Sequence, residues 1–239
     1  MNESTAKRER VSDARRAQIG RAKRARTRKE LVSAAFNVFA EKGFDAPVVA
    51  DFIAASGVSR GTFYNYFLTR EEILAAVADE LAKEINGSIL PVLQGLHDPA
   101  ELVAAALRCF IGMASSDPIR GAILVRMIPI VGGPLNEQMR RHSLAMFSEG
   151  VKSGRFKIVS IQAAHDLGLG MVAMVVRTIL SRKQVPGNYT QLSVAMYLRS
   201  LGIRAQEAGR IVSMPLDIPS FAADATAAGG RKSLFRTAQ

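Results

Sequence analysis

The 239-residue sequence has one cysteine, Cys109, so no intrachain disulfide can form. A reducing, cytoplasmic setting is the expectation. Its three histidines, His97, His142 and His165, are scattered and, with a lone thiol, offer no metal-ligand spacing. Neither a metal nor another cofactor is expected. There is no Gly-rich phosphate loop, and no motif joins a nucleophile to a base, so an enzyme is not expected either. Apolar runs are short. The nearest to a span, 167–176, stops at Arg177, well below the ~18 residues a membrane helix needs. The basic N-terminus is not followed by the apolar core of a secretory leader. Period-two alternation and hairpin turns are scarce, which argues against sheets. Acidic residues are the scarce charge: 21 Asp and Glu stand against 32 Lys and Arg, for a net +11 and an isoelectric point near 10.3. Such a chain favours a polyanionic partner. Much of the excess lies in residues 1–30, which hold eleven basic and four acidic residues, a net of +7.

What is present is helix signal from end to end. Residues 1–26 are polar and basic, and are expected to be a disordered arm in the absence of a partner. Thr27 and Glu30 have capping-box spacing, after which Leu31, Ala34, Ala35, Val38 and Phe39 fall on one helical face. Gly43 suits a helix end. A short helix over 48–55 leads through Ser56-Gly57-Val58 to another over 59–65, capped by Ser59. Thr69 and Glu72 again have capping spacing, and Ile73, Leu74, Val77, Leu81 and Ile85 make an apolar stripe that lasts to Gly87. Asp98-Pro99 with Glu101, and then Asp117-Pro118, place an N-cap before a proline at the first helical position. Further helices are expected from Pro134 to about 150, over 161–182, and over 188–201 with Gly202 as the stop. From 215 the chain reads as a flexible tail. The fold class is all-α, divided into an arm (1–26), a helix-turn-helix domain (27–74), a larger helical domain (75–214), to which the resemblance described below assigns effector binding and dimerisation, and a tail (215–239).

Residues 57–67 concentrate the chemistry. Gly57 supplies the positive φ of a tight turn, and Ser59 caps the next helix. Gly61 and Thr62 are small enough to bring backbone close to a groove. Arg60, Thr62 and Asn65 can reach base edges, and Tyr64 and Tyr66 can offer hydroxyls to phosphates. Phe63 and Phe67, four apart, would face inward. This is the pattern of a recognition helix in a helix-turn-helix.

Residues 31–74 resemble the DNA-binding domain of the TetR/AcrR family of bacterial regulators. The likeness rests on Ala34-Ala35, Phe39, Gly43-Phe44, Ser56-Gly57-Val58-Ser59 and Gly61-Thr62-Phe63-Tyr64-Asn65-Tyr66-Phe67. It implies double-stranded DNA as partner, with Ser59, Arg60, Gly61, Thr62, Tyr64, Asn65 and Tyr66 at the interface. Arg70 stands where the family carries a phosphate-binding Lys. Two positions depart from the pattern. Pro47-Val48 replaces the usual Thr or Ser that caps the second helix and touches phosphate, and Phe52-Ile53 replaces a smaller pair.

The basic arm adds Arg26 and Arg28 to the expected DNA contacts, chiefly as non-specific affinity, with arginines able to enter a minor groove. The resemblance further implies a homodimer and an effector pocket in the C-terminal helices. Independently, residues 167–180 are apolar on nearly every face, which calls for cover on every face. A partner subunit would provide it, as would the core of a monomer. Leu192, Ala195, Met196 and Leu198 suit a four-helix interface, and Gly168, Gly170 and Ala173 permit close helix approach. Pocket candidates are Phe110, Met113, Leu124, Met127, His142, Met146, Met171 and Met174. Arg126 and His165 are further polar candidates, and Gly132-Gly133-Pro134 is a candidate entrance. The expected activity is that of a ligand-responsive repressor that binds a near-palindromic operator and is released by an apolar small molecule, with no membrane partner. The alternative is a DNA-binding architectural or division protein without an effector.

Overall fold

The computed structural model describes residues 3–43, 45–130, 137–182 and 184–221, the side chains of 3–14, 129 and 130 excepted. Among them are ten helices and no strand: α1 (Glu3–Lys42), α2 (Val49–Ser56), α3 (Arg60–Tyr64), α4 (Arg70–Leu93), α5 (Pro99–Ser116), α6 (Pro118–Ile130), α7 (Glu137–Lys152), α8 (Ile161–Ser181), α9 (Tyr189–Ser200) and α10 (Ala205–Ser213). The chain divides into two compact units, Met1–Val77 and Ala78–Gln239, with the division falling inside α4.

In the first unit α1 packs on α2. Its apolar stripe (Leu31, Ala35, Val38, Phe39) is buried, and Phe39 meets Phe52 of α2 with ring centroids 5.2 Å apart. The bulky Phe52 thus fills the centre of this small core. One expectation is corrected here: residues 3–26 continue α1 instead of forming a disordered arm. The segment lacks an apolar stripe, but it is rich in Ala and Arg and has no proline, so intrinsic propensity favours helix. Thr27 and Glu30 therefore lie inside a continuous helix, and Glu30 pairs with Arg26 at 2.9 Å instead of capping. At the start of α4 the capping device is real. Thr69 accepts the Glu72 N–H at 3.1 Å, and the Glu72 carboxylate accepts the Leu68 N–H at 2.7 Å. α4 does not stop at Gly87. It runs through Pro91, which forgoes one backbone hydrogen bond in the last turn.

In the second unit α5 is the hub, packing against α6, α7, α8, α9 and α10. Asp98 caps it through the Ala100 N–H at 3.1 Å, and Asp117 caps α6 through the N–H groups of Ile119 and Arg120, both at 3.0 Å. Val103, Ala104, Cys109, Ile111 and Met113 of α5 are buried. Burial raises the Cys109 thiol to about 11, so it serves as a small core residue. α8 is long and apolar enough to cross a membrane by length and composition. Here Ala164, His165, Gly168, Val172, Val175 and Val176 pack inward. The close approach at Gly168 is made by Tyr197 of the same chain, whose hydroxyl lies 2.8 Å from where a Cβ would stand and donates to the Ala164 carbonyl at 2.5 Å.

Two features beyond residue 201 were not expected. α10 buries Ala208, Ile211 and Val212, an i, i+3, i+4 stripe too short to stand out between Gly202 and Pro215. Residues 214–221 are not a loose tail. Arg108 donates to the Met214 carbonyl at 2.9 Å, Ile218 rests on Gly112, and Phe221 is buried under the Arg120 guanidinium, 4.8 Å from its ring centroid. Pro215 and Pro219 restrict the chain before it docks, which lowers the ordering entropy. The expected tail over 222–239 and the candidate entrance Gly132-Gly133-Pro134 lie outside the described residues, as does Phe44.

Arg155, between α7 and α8, ties the unit together. It donates to both carboxylate oxygens of Asp98 at 2.7 Å and to Glu207 of α10 at 2.7 Å. The guanidinium and the Ala100 N–H hold the Asp98 carboxyl below its usual value of 3.8. A depressed folded value means the stabilisation is complete above the unfolded pKa and is lost as pH falls through the folded one. Asp98→Ala removes a cap and a bidentate ion pair together, and should lower stability by about 2 kcal/mol at neutral pH. In urea denaturation the difference from wild type should shrink as pH falls below the usual carboxylate range.

Candidate nucleic-acid interface

α2 ends at Gly57, which takes the left-handed conformation (φ 65°) and donates its N–H to Ile53 O at 3.1 Å. Two residues later Ser59 accepts the Thr62 N–H at 3.1 Å, and its hydroxyl shares a 2.8 Å hydrogen bond with Thr62 Oγ1. This starts α3, a helix of only five residues. Phe63 and Phe67 are buried with ring centroids 6.0 Å apart, and Tyr64 sets its ring edge-on to Phe63. The inward face is therefore aromatic. Arg60, Gly61, Tyr64 and Asn65 are exposed, while Thr62 and Tyr66 are half-buried. The Arg60 guanidinium stacks over Tyr64 at 5.7 Å, leaving its donors at the outer edge of the stack. The same helix thus carries an apolar anchor on one side and donors, an amide and hydroxyls on the other.

Val48 precedes α2 with its side chain exposed and without a side-chain cap. The work is divided differently here: Asp51 Oδ2 accepts the Val48 N–H at 2.9 Å, and Asp51 Oδ1 meets Lys42 Nζ at 2.6 Å. The Lys42 ammonium, then the Val48 N–H, hold the Asp51 carboxyl below its ordinary value. A carboxylate at a helix N-terminus suits the helix dipole, and Lys42 offsets the charge it would present to a phosphate. The lost hydroxyl at 48 was visible in the sequence, whereas the roles of Asp51 and Lys42 were not foreseen. Their signal is the N3 carboxylate of a half capping box.

Arg70 reaches across the unit, with Nη1 on the Asp45 carbonyl at 3.3 Å and Nη2 on Glu71 at 3.1 Å. Of the two expected arm residues, Arg28 lies over the Phe67 ring at 5.5 Å, whereas Arg26 pairs with Glu30. Two residues apart on a helix, they point to nearly opposite sides. The arm cation that meets α3 is Arg24, which donates to the Asn65 carbonyl at 3.4 Å and sits over the Tyr66 ring at 5.6 Å.

In the second unit, Met113, Leu124 and Met127 are fully buried, and Phe110, Met146 and Met171 are half-buried. Met174 departs from this group: 56% exposed, it lies on the outer face of α8 with Leu167. His142 is exposed, with Nδ1 3.3 Å from Asn86 Oδ1. His165 is buried, edge-on to Phe147, and its Nε2 has no hydrogen-bond partner. Arg126 is exposed. Among the described residues no group of three His, Cys, Asp or Glu is placed to hold a metal.

Comparison with known proteins matches both units. Residues 31–77 fit the model of bacterial regulatory proteins of the tetR family, and residues 98–214 fit that of the tetracyclin repressor-like C-terminal domain. The HTH-type transcriptional regulator YvdT of Bacillus subtilis (strain 168) is 32% identical over 69 residues, 29% of this chain and 36% of its own length. The HTH-type transcriptional repressor DhaR of Mycobacterium sp. (strain GP1) is 27% identical over 125 residues, 52% of this chain and 62% of its own. The match thus spans less than two thirds of either curated relative. The crystal structure of RolR with its ligand resorcinol is similar over 83% of this chain and 99% of that one, at 30% identity and a TM-score of 0.67.

The turn before α3 is open to a direct check. A Cβ at residue 57 would meet nothing within 4 Å, so Gly57→Ala isolates the left-handed backbone cost. It should destabilise the protein by about 1–2 kcal/mol, measured as a shift in urea midpoint with unchanged slope.

Proposed function

The chain belongs to the tetR family of bacterial regulatory proteins, and from that membership we propose that it is a cytoplasmic, ligand-responsive repressor acting as a homodimer on a near-palindromic DNA operator. The observation that carries this reading is the two-sided α3: Phe63 and Phe67 anchor it, while Arg60, Thr62 and Asn65 address base edges. Tyr64, Tyr66 and Arg70 serve the phosphates, and Gly61 lets the backbone come close. Ser59 contributes chiefly as the cap that sets the helix in place. In a homodimer two such helices would enter successive major grooves about 34–36 Å apart.

The dimer surface is drawn from the outer faces of α8 and α9. Leu167, Met174, Leu192 and Met196 are each at least half exposed in the single chain, and large apolar residues so arranged are better explained as an interface than as bare surface. Met174 thus moves from the pocket to the dimer contact. The effector site falls among Phe110, Met113, Leu124, Met127, Met146 and Met171, with His142 at its edge. RolR is complexed with resorcinol, and an apolar ring bearing a hydroxyl would also suit this chain, because the buried His165 Nε2 lacks a partner and a ligand hydroxyl would supply one. The effector releases DNA only if it binds the non-binding form much more tightly. α4, which runs across the division between the units, is the covalent route by which that preference reaches α3.

Selection of duplexes from a random pool by the purified protein should yield a near-palindromic sequence. No enrichment would sink the regulator reading. On the selected duplex, Asn65→Ala and Thr62→Ala should relax base preference, each by about 1–3 kcal/mol. Gly61→Ala should weaken binding while leaving the fold as stable or more so by about 0.5–1 kcal/mol. For the dimer, Met196→Asp should give monomers by sedimentation at concentrations where wild type is dimeric, with the helical circular dichroism retained.

A further inference from the structure

We propose that residues 214–221 form a releasable latch that clasps α6 to α5 and so controls the entry of a small apolar molecule to the face of α6 that carries Leu124 and Met127. The proposal rests on the reading of that face as part of the effector site and adds its regulation. The match to the tetracyclin repressor-like C-terminal domain stops at residue 214, where this segment begins, so the latch lies outside what that match accounts for.

The segment is pinned to both helices. On α5, Arg108 donates to the Met214 carbonyl at 2.9 Å, and a Cβ at Gly112 would stand 2.5 Å from Cγ2 of Ile218. Arg108 and Gly112 are one turn apart on the same face of α5. On α6, the Arg120 guanidinium covers the Phe221 ring at 4.8 Å. Arg120 also pairs with Asp117 at the helix start, Nη1 to Oδ2 at 3.3 Å. Arg120, Leu124 and Met127 follow at i, i+4 and i+7, so the anchor and the two site residues share one face of α6.

That face is closed as it stands. Met113, Leu124 and Met127 are fully buried, and an interior packed to ordinary density has no room for a further ring. At the root of α6, Gly121 lies against the Ala114 carbonyl and the Leu180 side chain so closely that a methyl group would not fit. A ligand that reaches Leu124 must therefore move α6 away from α5. Pro215 and Pro219 stiffen the strap, so it cannot stretch to follow. Either Phe221 leaves Arg120 or Ile218 leaves Gly112. Release is accessible because the strap is lightly held: of its eight residues only Phe221 is buried, Leu216 and Pro219 are half-buried, and the rest are exposed. Ordering the backbone opposes docking, and one buried ring is the main term on the other side. Such a segment opens locally long before the unit unfolds.

The chain's lone thiol reports on the strap. Cys109 is buried on α5 next to Arg108, and burial first, then Asp217 of the strap, raise its pKa. Alkylation of the full-length protein by N-ethylmaleimide, followed by mass spectrometry, reads strap release at Cys109. In a Cys109→Ala/Leu124→Cys background the same reagent reads the arrival of a small apolar molecule at the face of α6. Phe221→Ala should speed both reactions by about tenfold or more, the weight of one large buried apolar side chain, and Phe221→Leu should stay closer to wild type. Faster alkylation at Cys109 with no change at position 124 would reduce the strap to a cover and overturn the latch. No change at either position would overturn release itself. Amide exchange in α9 is the global reference: if Phe221→Ala speeds it by the same factor, the strap stabilises the whole unit and is no latch. None of these readouts uses DNA or an effector, so a failed latch and a failed repressor reading are separate outcomes.

Discussion

A five-residue helix cannot hold itself together in water. One turn fixes too many dihedrals for too few hydrogen bonds, so α3 exists only because its surroundings impose it. Gly57 turns the chain, Ser59 satisfies the Thr62 N–H, Phe63 and Phe67 are drawn into the core of the first unit, and Arg24 closes the far end at the Asn65 carbonyl. Burial of the two aromatics contributes most: each removes a large apolar surface from water, whereas each cap contributes about 1 kcal/mol. The residues left outside, Arg60, Tyr64 and Asn65, are exposed.

Charge plays the complementary part. The same polar exterior that keeps the start of α1 out of any core gives it a stripe of cations, and the helix carries that stripe past α3. The departure at Val48 follows the same logic. A hydroxyl that would have capped α2 is absent, and Asp51 caps the backbone instead while Lys42 balances its charge. In the second unit an ion pair has a structural duty: Arg155 joins the start of α5 to α10 through Asp98 and Glu207.

Much of this was legible in the residues. The Asp-Pro helix starts, the left-handed glycine, the Ser59 cap and the inward Phe63 and Phe67 are local devices. Each depends on neighbours within a few residues, so spacing exposes it. The all-α class followed for the same reason, since apolar residues three and four apart need no distant partner to be recognised. Other features were hidden. α10 is nine residues with a brief stripe. The helical arm is held by propensity without any apolar period. The docking of Ile218 and Phe221 depends on where Gly112 and Arg120 happen to lie.

Sequence by itself determined which helix has the composition to read DNA, because turn, cap and amphipathic spacing are written within eleven consecutive residues, 57–67. Only the tertiary structure decided which of the many arm cations stands beside that helix. Arg24 and Asn65 are 41 positions apart, and their meeting depends on how α1 crosses α3. It decided too that Met174 faces outward while Met113 and Met127 face inward. A methionine carries no local mark of its direction when a helix is apolar on nearly every side. Direction then comes from the neighbours that pack against it, and those neighbours are assembled only by the fold.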